Sequence, residues 1–337
     1  MSIIPFRHVM AAHCESGTVT ALLNFHGLNI TEPMVFGISS GIFFAYMKPP
    51  MMDFPMFVTR SMPGQIRSKF AKRSGVQFIT KNYKDRKVAE EELNELLDRN
   101  QPVALQTDLF FMDYFPSWFR VHMNIHFVNI IGREGTKYFV SDSYFPEIAE
   151  IDREALLHAR FAGGAMAPKG FMFYPVQVPG NIDMERSVIK GIKAATFNML
   201  KIPLPFLGVK GIRRFADKIV DWPDYAKDED QLADKVFRIF ILLEELGTGG
   251  GGFRFIYASF LQEAAKILNN PGLNDLSKEI MEIGDRWREL ALAASKVSRS
   301  KDITRGKLAE LGVLIREKAD LEEVFFKKLR KEILNHK

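Results

Sequence analysis

The sequence predicts an α+β domain followed by a mostly α-helical one, and three observations lead to this prediction. Short apolar runs separated by turn residues fill the chain as far as residue 178. From Ser187 onwards the apolar residues recur at helical spacing. Between the two stretches, Pro179-Gly180-Asn181 is a natural break. We therefore expect one domain over residues 1–180 and a second over residues 181–337.

The first domain is expected to begin with a helix at Cys14, where the apolar residues are spaced for an amphipathic helix. A glycine-punctuated segment follows from Gly37 to Tyr46, and Pro49-Pro50 and Met62-Pro63-Gly64 then mark breaks. The remaining predicted elements are a strand over 76–80, a charged helix over 88–97, a strand over 103–111, a β-hairpin over 126–142, a helix over 153–161 and a closing strand over 171–178.

The second domain is expected to contain helices throughout, with a glycine-rich hinge over 247–252 and a long charged helix after Thr304. A chain of 337 residues, 47% of them hydrophobic, is long enough to form two cores. One cysteine excludes a disulfide scaffold and a cysteine-based zinc site. The start of the chain does not resemble a signal peptide, and the sequence has no membrane-spanning apolar run, so we expect a cytoplasmic protein.

The only cysteine, Cys14, is the first candidate functional residue. A lone thiol cannot form an internal disulfide, so its role lies in packing or in reactivity. If a helix begins at Cys14, its free amides and positive dipole end favour the thiolate, which is the nucleophilic form. The alternative is that Cys14 is a buried small hydrophobe, as free cysteines often are.

A second candidate site lies in the predicted hairpin. His126 would start its first strand and Asp142 would end its second, so antiparallel pairing brings both to one end of the sheet. A histidine base oriented by a carboxylate requires this geometry. A hairpin with two polar residues at its rim is the plainer interpretation, but the order Cys14, His126, Asp142 favours a cysteine nucleophile with its base and orienting acid.

These motifs resemble those of a known family. His13-Cys14-Glu15, the segment from Phe36 to Tyr46, and His126 through Asp142 resemble the N-terminal domain of the butirosin biosynthesis protein H family. That domain is similar to papain-like and bacteriocin-processing (C39-type) cysteine peptidases. The segment from Gly249 to Ala265 resembles the helical domain often fused behind it. The resemblance thus implies a papain-like, C39-type domain followed by a mostly α-helical domain.

The resemblance also implies an acyltransferase that takes its acyl group from a carrier protein. The expected reaction moves an acyl group from a carrier-protein or coenzyme A thioester through Cys14 to an amine or alcohol of a small-molecule acceptor in specialised metabolism. The Cys14 amide and a second donor would hold the oxyanion. No glutamine precedes Cys14, which departs from the peptidase pattern, and Gln106 is the one candidate for that donor. A cysteine hydrolase and a non-enzymatic carrier- or ligand-binding protein remain alternatives.

Other polar residues have weaker claims to a role. His13 adjoins the nucleophile and is expected to support it rather than react. Asp108 lies in an apolar, strand-like run, where a carboxylate must be exposed, paired or functional. Arg254 would bind a phosphate only if the glycine run before it cradles one; a flexible hinge is the simpler interpretation, since the run lacks the Lys-Ser/Thr of a phosphate loop. His122 has no third ligand partner at a suitable spacing, so we expect neither a metal site nor any cofactor.

The net charge of +5 lies in the second half of the chain, because residues 1–184 hold 18 basic and 18 acidic side chains. No nucleic-acid-binding motif is present, so we expect no nucleic-acid partner. A basic face steers association with an acidic protein, which agrees with a carrier partner. The sequence leaves the oligomeric state open, a homo-oligomer included. The basic residues cluster at Lys210, Arg213, Arg214 and Lys218, and at Lys327, Lys328, Arg330 and Lys331.

Overall fold

The computed structural model describes residues 2–50 and 52–335. The chain forms two compact units. The first comprises the residues up to Val35 together with Phe70–Ile182, and the second comprises Phe36–Lys69 together with the chain from Asp183 onwards. The chain therefore passes between the units near residues 35, 69 and 182, whereas the sequence predicts a single boundary at residue 180.

The strands are short and all pair in antiparallel fashion. In chain order they are β1 (Ser2–Ile3), β2 (Ile42–Met47), β3 (Met56–Arg60), β4 (Gln77–Lys81), β5 (Val103–Thr107), β6 (His126–Glu134), β7 (Lys137–Ser141), β8 (Ala149–Asp152) and β9 (Met172–Gln177).

The helices lengthen towards the end of the chain. In chain order they are α1 (Cys14–Phe25), α2 (Glu32–Ile38), α3 (Gln65–Ser74), α4 (Arg86–Asp98), α5 (Arg153–Arg160), α6 (Met184–Leu200), α7 (Gly208–Lys218), α8 (Glu229–Phe240), α9 (Arg254–Ile267), α10 (Gly272–Ser298) and α11 (Arg305–Asn335).

The first unit is built on one sheet in the order β4-β9-β5-β6-β7-β8, with β1 pairing along β6. The central strands β5 and β6 are apolar and buried throughout most of their length, as expected for strands covered on both faces. The register pairs Thr107 with His126 and Asn129 with Ser141. The end of β5, the start of β6 and the end of β7 therefore lie at the same end of the sheet.

The core of the first unit lies between this sheet and helices α4 and α5. Leu93 and Leu97 of α4 and Leu156 of α5 pack in one cluster with Val128 and Ile130 of β6. Helix α1 is attached to β6 by two hydrogen bonds. The Thr18 hydroxyl donates to the Phe127 backbone carbonyl at 3.1 Å, and the side-chain amide of Asn129 donates to the Thr18 backbone carbonyl at 3.2 Å. These two bonds fix the helix on the strand.

The second unit is mostly helical, but it includes the β2–β3 hairpin. Phe44 and Phe57 of this hairpin stack on each other at 5.9 Å and on Phe215 of α7, and Phe44 also contacts Trp287 of α10. Burial of these aromatic side chains explains why residues 36–69 cluster with helices that come much later in the chain.

The predicted fold class, an α+β unit followed by a mostly helical one, is confirmed. One predicted element needs correction. The strand expected over 103–111 ends at Thr107, and residues Leu109–Phe111 form a 3-10 turn. The turn forms because the Asp108 side chain accepts a hydrogen bond from the Phe110 amide. Within the part of the chain that the structure describes, no helix has the length and apolar character needed to cross a membrane.

Candidate active site

Cys14 is the first residue of α1, and it is partly exposed. His13 precedes it in an extended conformation, with φ −136° and ψ 131°. The thiol Sγ lies 3.8 Å from the Ile125 carbonyl oxygen, next to the start of β6. The thiol therefore lies beside the free amides of a helix N-terminus, where negative charge is stabilised.

The turn before Cys14 is held by a carboxylate that the sequence analysis did not identify. Glu32, the first residue of α2, accepts hydrogen bonds from the Ala12 amide at 2.8 Å, the His13 amide at 2.9 Å and the Ser16 hydroxyl at 2.8 Å. Burial raises the pKa of the Glu32 carboxyl, although these three hydrogen bonds act in the opposite direction. Three donors on one carboxylate fix the conformation in which the chain enters α1.

A close approach at Gly17 completes this helix start. A side-chain Cβ at Gly17 would lie 2.4 Å from the Ala11 Cβ and 3.1 Å from the Ser143 Cβ. Ser143 directly follows Asp142, so the absence of a side chain at Gly17 lets the first turn of α1 contact the segment that carries the acid. No other residue type fits here without a shift of the backbone.

His126 and Asp142 form a buried hydrogen-bonded pair, as the hairpin predicts. The Nε2 atom of His126 donates to the Asp142 Oδ2 atom at 2.7 Å. The Tyr114 hydroxyl donates to the same oxygen at 2.8 Å, and the Tyr144 amide donates to Oδ1 at 3.0 Å. The carboxylate is thus held by three donors, and it fixes the orientation of the imidazole ring.

The electrostatics of this pair favour a charged imidazole beside the thiol. Burial lowers the pKa of His126, but the charge and hydrogen bond of Asp142, together with a hydrogen bond from Cys14, outweigh it and raise the pKa to about 10. Burial raises the pKa of Asp142, but the charge of His126 and the hydrogen bonds to the carboxylate lower it overall. Burial and the charge of Asp142 raise the pKa of Tyr114 well above its ordinary value, so its hydroxyl remains a donor.

An aromatic cluster covers the histidine on one side. Phe115 is buried, and its ring meets the His126 ring edge-on, with centroids 5.6 Å apart. Phe119 stacks on Phe115 at 5.6 Å and on Tyr144 at 5.4 Å. These rings keep water away from that side of the His126–Asp142 pair, which strengthens the interaction between its charges.

Cys14, His126 and Asp142 are therefore brought together, and the other candidates are placed differently. His13 is buried, and its backbone serves the helix start: its amide donates to Glu32 and its carbonyl accepts from the Gly17 amide at 2.8 Å. The Gln106 amide nitrogen donates to the Asn124 carbonyl at 2.6 Å and the Met166 carbonyl at 3.0 Å. Both of its hydrogens are thus engaged, so Gln106 does not provide the second oxyanion donor.

Asp108 is fully buried, but it pairs with His122 instead of joining the pair at His126. Its carboxylate accepts from His122 Nδ1 at 2.7 Å, from the Met123 amide at 2.8 Å and from the Phe110 amide at 3.2 Å. Among the described residues, no group of three histidine, cysteine, aspartate or glutamate side chains is arranged to hold a metal ion.

Arg254 and the glycine run belong to the packing of the second unit. Arg254 has no exposed surface; its Nε atom donates to Glu322 at 2.8 Å, and its guanidinium lies 4.7 Å above the Trp287 ring. The Gly251 amide donates to the Glu244 carboxylate at 3.0 Å, and a Cβ there would lie 2.9 Å from the Gly284 carbonyl oxygen. Because Arg254 is buried and the Gly251 amide is bound to a carboxylate, these residues do not fit a phosphate-binding role. Because the loop is buried and closely packed, it does not fit a flexible hinge either.

Comparisons with known proteins agree with the resemblance noted in the sequence. The family model described as Butirosin biosynthesis protein H, N-terminal, matches residues 13–143, the region that holds Cys14, His126 and Asp142. The model described as Domain of unknown function (DUF4872) matches residues 154–329. A search of curated proteins finds no match. Among solved structures, a C39-like peptidase from Bacillus anthracis is 15% identical, with the match covering 52% of this chain and 96% of that chain at a TM-score of 0.35.

Proposed function

Because the chain belongs to the butirosin biosynthesis protein H family, with a DUF4872 domain behind its N-terminal domain, we propose that it is an acyltransferase in which Cys14 carries the acyl group. The family and the fold indicate a cysteine-based enzyme of acyltransferase or peptidase-like type. The observation that carries the finer proposal is the placement of Cys14 at the start of α1, with its thiol against the residue before His126, whose Nε2 atom donates to Asp142.

In the first half of the reaction, the Cys14 thiolate attacks the carbonyl carbon of an acyl thioester. His126 holds the proton that the thiol has lost, and Asp142 stabilises the resulting imidazolium. The tetrahedral oxyanion forms near the N-terminus of α1, where the Cys14 backbone amide is the expected donor. The carbon–sulfur bond of the donor breaks, the leaving thiolate takes the proton from His126, and a thioester on Cys14 remains.

In the second half, an acceptor resolves this thioester. An amine or alcohol attacks the acyl carbon, His126 takes a proton from the attacking atom, and Cys14 leaves as the thiolate. The donor that we propose is a carrier-protein or coenzyme A thioester, and the acceptor is a small molecule of specialised metabolism. Family resemblance supports this donor and this acceptor.

A cysteine hydrolase is the second candidate, and the partial exposure of Cys14 favours it. Hydrolase and transferase use the same three residues, and they differ in whether water reaches the acyl-enzyme. A non-enzymatic binding protein would need Cys14 to be buried and distant from His126. Cys14 is instead partly exposed, and its thiol lies 3.8 Å from the carbonyl oxygen of Ile125, the residue before His126, which speaks against that alternative.

A product-partition assay tests the proposal. The purified protein is incubated with S-octanoyl-N-acetylcysteamine, with and without a panel of amines and alcohols, and octanoic acid and acyl-acceptor products are measured by mass spectrometry. A transferase gives acyl-acceptor product in preference to acid, and Cys14→Ser gives neither. Acid formed at the same rate with and without acceptors would establish the hydrolase instead. Turnover by Cys14→Ser at the wild-type rate would contradict covalent catalysis.

A further inference from the structure

A second histidine–aspartate pair lies at the surface, at the end of the sheet that carries the candidate active site. Asp108 is fully buried and binds His122 Nδ1 at 2.7 Å, whereas the His122 side chain is 65% exposed. Asp108 also accepts from the Met123 and Phe110 amides. Because these two amides already fix the turn, the carboxylate does not need His122 to stay in place. The bond to the imidazole therefore orients the histidine rather than the acid.

The ring of His122 is also held by aromatic contacts. It stacks on Phe110 with centroids 4.2 Å apart and an interplanar angle of 21°, and it meets Phe111 edge-on at 5.8 Å. An ionised carboxylate accepts hydrogen bonds only, so the proton of the neutral ring lies on Nδ1. The basic Nε2 atom is then the free acceptor of an exposed ring that is fixed in orientation.

This pair lies at the same end of the sheet as the thiol. Asp108 directly follows β5, whose last residue, Thr107, pairs with His126 at the start of β6. The Thr107 hydroxyl donates to the His126 carbonyl at 3.2 Å. The segment after His122 returns to β6 through Ile125, whose carbonyl is the neighbour of the Cys14 thiol. Both histidine–aspartate pairs therefore lie at the end of the sheet where Cys14 begins α1.

The proton balance of the proposed reaction indicates a role for the second imidazole, that of His122. An alcohol loses one proton when it attacks the thioester, and His126 takes it. An amine that arrives as an ammonium ion must lose two, one before attack and one during attack. In the proposed loading step His126 has given its proton to the leaving thiolate, and it can then accept only one of these two protons. A second base that removes the first proton at the site would let the abundant ammonium form react directly, and imidazole is the side chain suited to this near neutral pH.

We propose that His122, held by Asp108, is a second catalytic base that deprotonates an acceptor ammonium group before attack. The inference rests on the proposed acyltransferase function. His122 Nε2 takes one proton from R–NH3⁺, and the free amine attacks the acyl carbon. The carbon–sulfur bond breaks, Cys14 leaves as the thiolate and His126 takes the second proton. His122 then releases its proton to water, so the net products are an amide, the Cys14 thiolate–imidazolium pair and one proton.

The test separates loading of Cys14 from its resolution. Wild type, His122→Gln and the control His158→Gln are loaded with S-octanoyl-N-acetylcysteamine, freed of excess donor, and mixed with an amine near pH 7. His158 is also exposed and also contacts Phe111, at 5.5 Å, so it matches His122 in surface and ring contact. The two amines are propylamine, which is protonated near pH 7, and hydroxylamine, which is largely neutral there.

We expect all three proteins to load equally and to react equally with hydroxylamine. His122→Gln should react with propylamine more slowly by on the order of a hundredfold, while His158→Gln should match wild type. Equal slowing with both amines, or no slowing with propylamine, would overturn the role of His122. Failure of the wild-type protein to load would instead overturn the proposed function, so the two failures are distinguishable.

Discussion

At the residue scale, the two histidines of the β5–β6 connection differ in environment although they lie four positions apart. His126 is buried, and its Nε2 atom is bound to Asp142; His122 is exposed, and its Nδ1 atom is bound to Asp108. The thiol lies 3.8 Å from the carbonyl oxygen of Ile125, the residue before His126, and Cys14 contributes to the raised pKa of His126. Burial and the thiol contact thus assign the first proton transfer to His126, while spacing alone favours neither residue.

Substitutions in the two histidine–aspartate pairs should therefore slow acyl loading to different extents. His126→Ala should reduce the loading rate by roughly a hundredfold or more, since the thiolate loses its counter-ion and its base. Asp142→Asn should reduce loading less, because an amide oxygen can still accept from His126 and Tyr114. His122→Ala should load normally. Single-turnover mass spectrometry measures these rates, and a slower loading rate for His122→Ala than for His126→Ala would reverse the assignment.

The raised pKa of His126 predicts a pH-dependent contribution to stability. A pKa raised from 6.5 to about 10 in the folded protein means that protonation stabilises the fold. This stabilisation is fully present below about pH 6.5 and is lost as the pH rises through about 10. The free energy of unfolding of wild type should exceed that of His126→Gln by more at about pH 6 than at about pH 10, measured by urea titration. A difference that does not change with pH would contradict the charged pair.

At the element scale, the site depends on how the chain enters α1. The helix lacks a side-chain cap at His13, and the amides of the preceding turn are bound instead by Glu32 of α2. The Thr18 and Asn129 bonds then fix α1 against β6. The position of the thiol relative to His126 is therefore set by contacts from two different elements.

Removing the carboxylate of Glu32 should disturb the nucleophile more than the fold. Glu32→Gln keeps one oxygen acceptor but places an NH2 group against an amide donor, so one of the two backbone bonds is lost. We expect slower acyl loading at 25 °C in a protein that is still folded by circular dichroism. Glu91→Gln, on the exposed face of α4, is the control and should load normally. Unchanged loading in Glu32→Gln would show that this clamp is dispensable.

Much of the sheet and the meeting of His126 with Asp142 could be predicted from the sequence. Two apolar runs that flank a short turn predict the β6–β7 hairpin, and hairpin geometry brings its two outer ends together. The start of α1 at Cys14 could also be predicted, because amphipathic spacing begins there.

The other features depend on contacts between residues far apart in the sequence. Glu32 lies 19 positions from His13, and Tyr114 lies 28 positions from Asp142, so no local pattern marks either as a partner. The β2–β3 hairpin clusters with the second unit because its phenylalanines pack on Phe215 and Trp287. The apolar neighbours of Asp108 predict a strand, but its side chain caps a 3-10 turn.

At the scale of the whole molecule, much of the excess positive charge is paired. Arg213 binds Asp320 at 2.7 Å and Glu323 at 2.5 Å, and Lys218 binds Asp221 at 2.9 Å. Lys210 and Arg214 are exposed and lie one turn apart on α7. We propose that an acidic carrier protein docks on this face, and Lys210 and Arg214 test that proposal better than the paired Arg213 and Lys218 do.

Reversing this pair should weaken use of a carrier-bound donor. Lys210→Glu with Arg214→Glu should raise the apparent KM for an acyl carrier protein donor, with little effect on S-octanoyl-N-acetylcysteamine. The difference should shrink in about 0.5 M salt, because exposed charges are then screened within a few ångströms. Lys296→Glu with Lys301→Glu makes the same charge change at exposed positions elsewhere and should leave KM unchanged. If both double variants had the same KM for the acyl carrier protein donor, the charge of α7 would no longer support docking of a carrier protein.

The central claim is that Cys14 carries the acyl group, and locating that group tests it most directly. The protein is incubated with S-octanoyl-N-acetylcysteamine, quenched in acid and digested, and the acylated peptide is sequenced by tandem mass spectrometry. The account predicts an octanoyl mass on Cys14 in wild type, little or none in His126→Ala, and none in a folded Cys14→Ala protein. An acyl group on another residue, or turnover by Cys14→Ala at the wild-type rate, would contradict it.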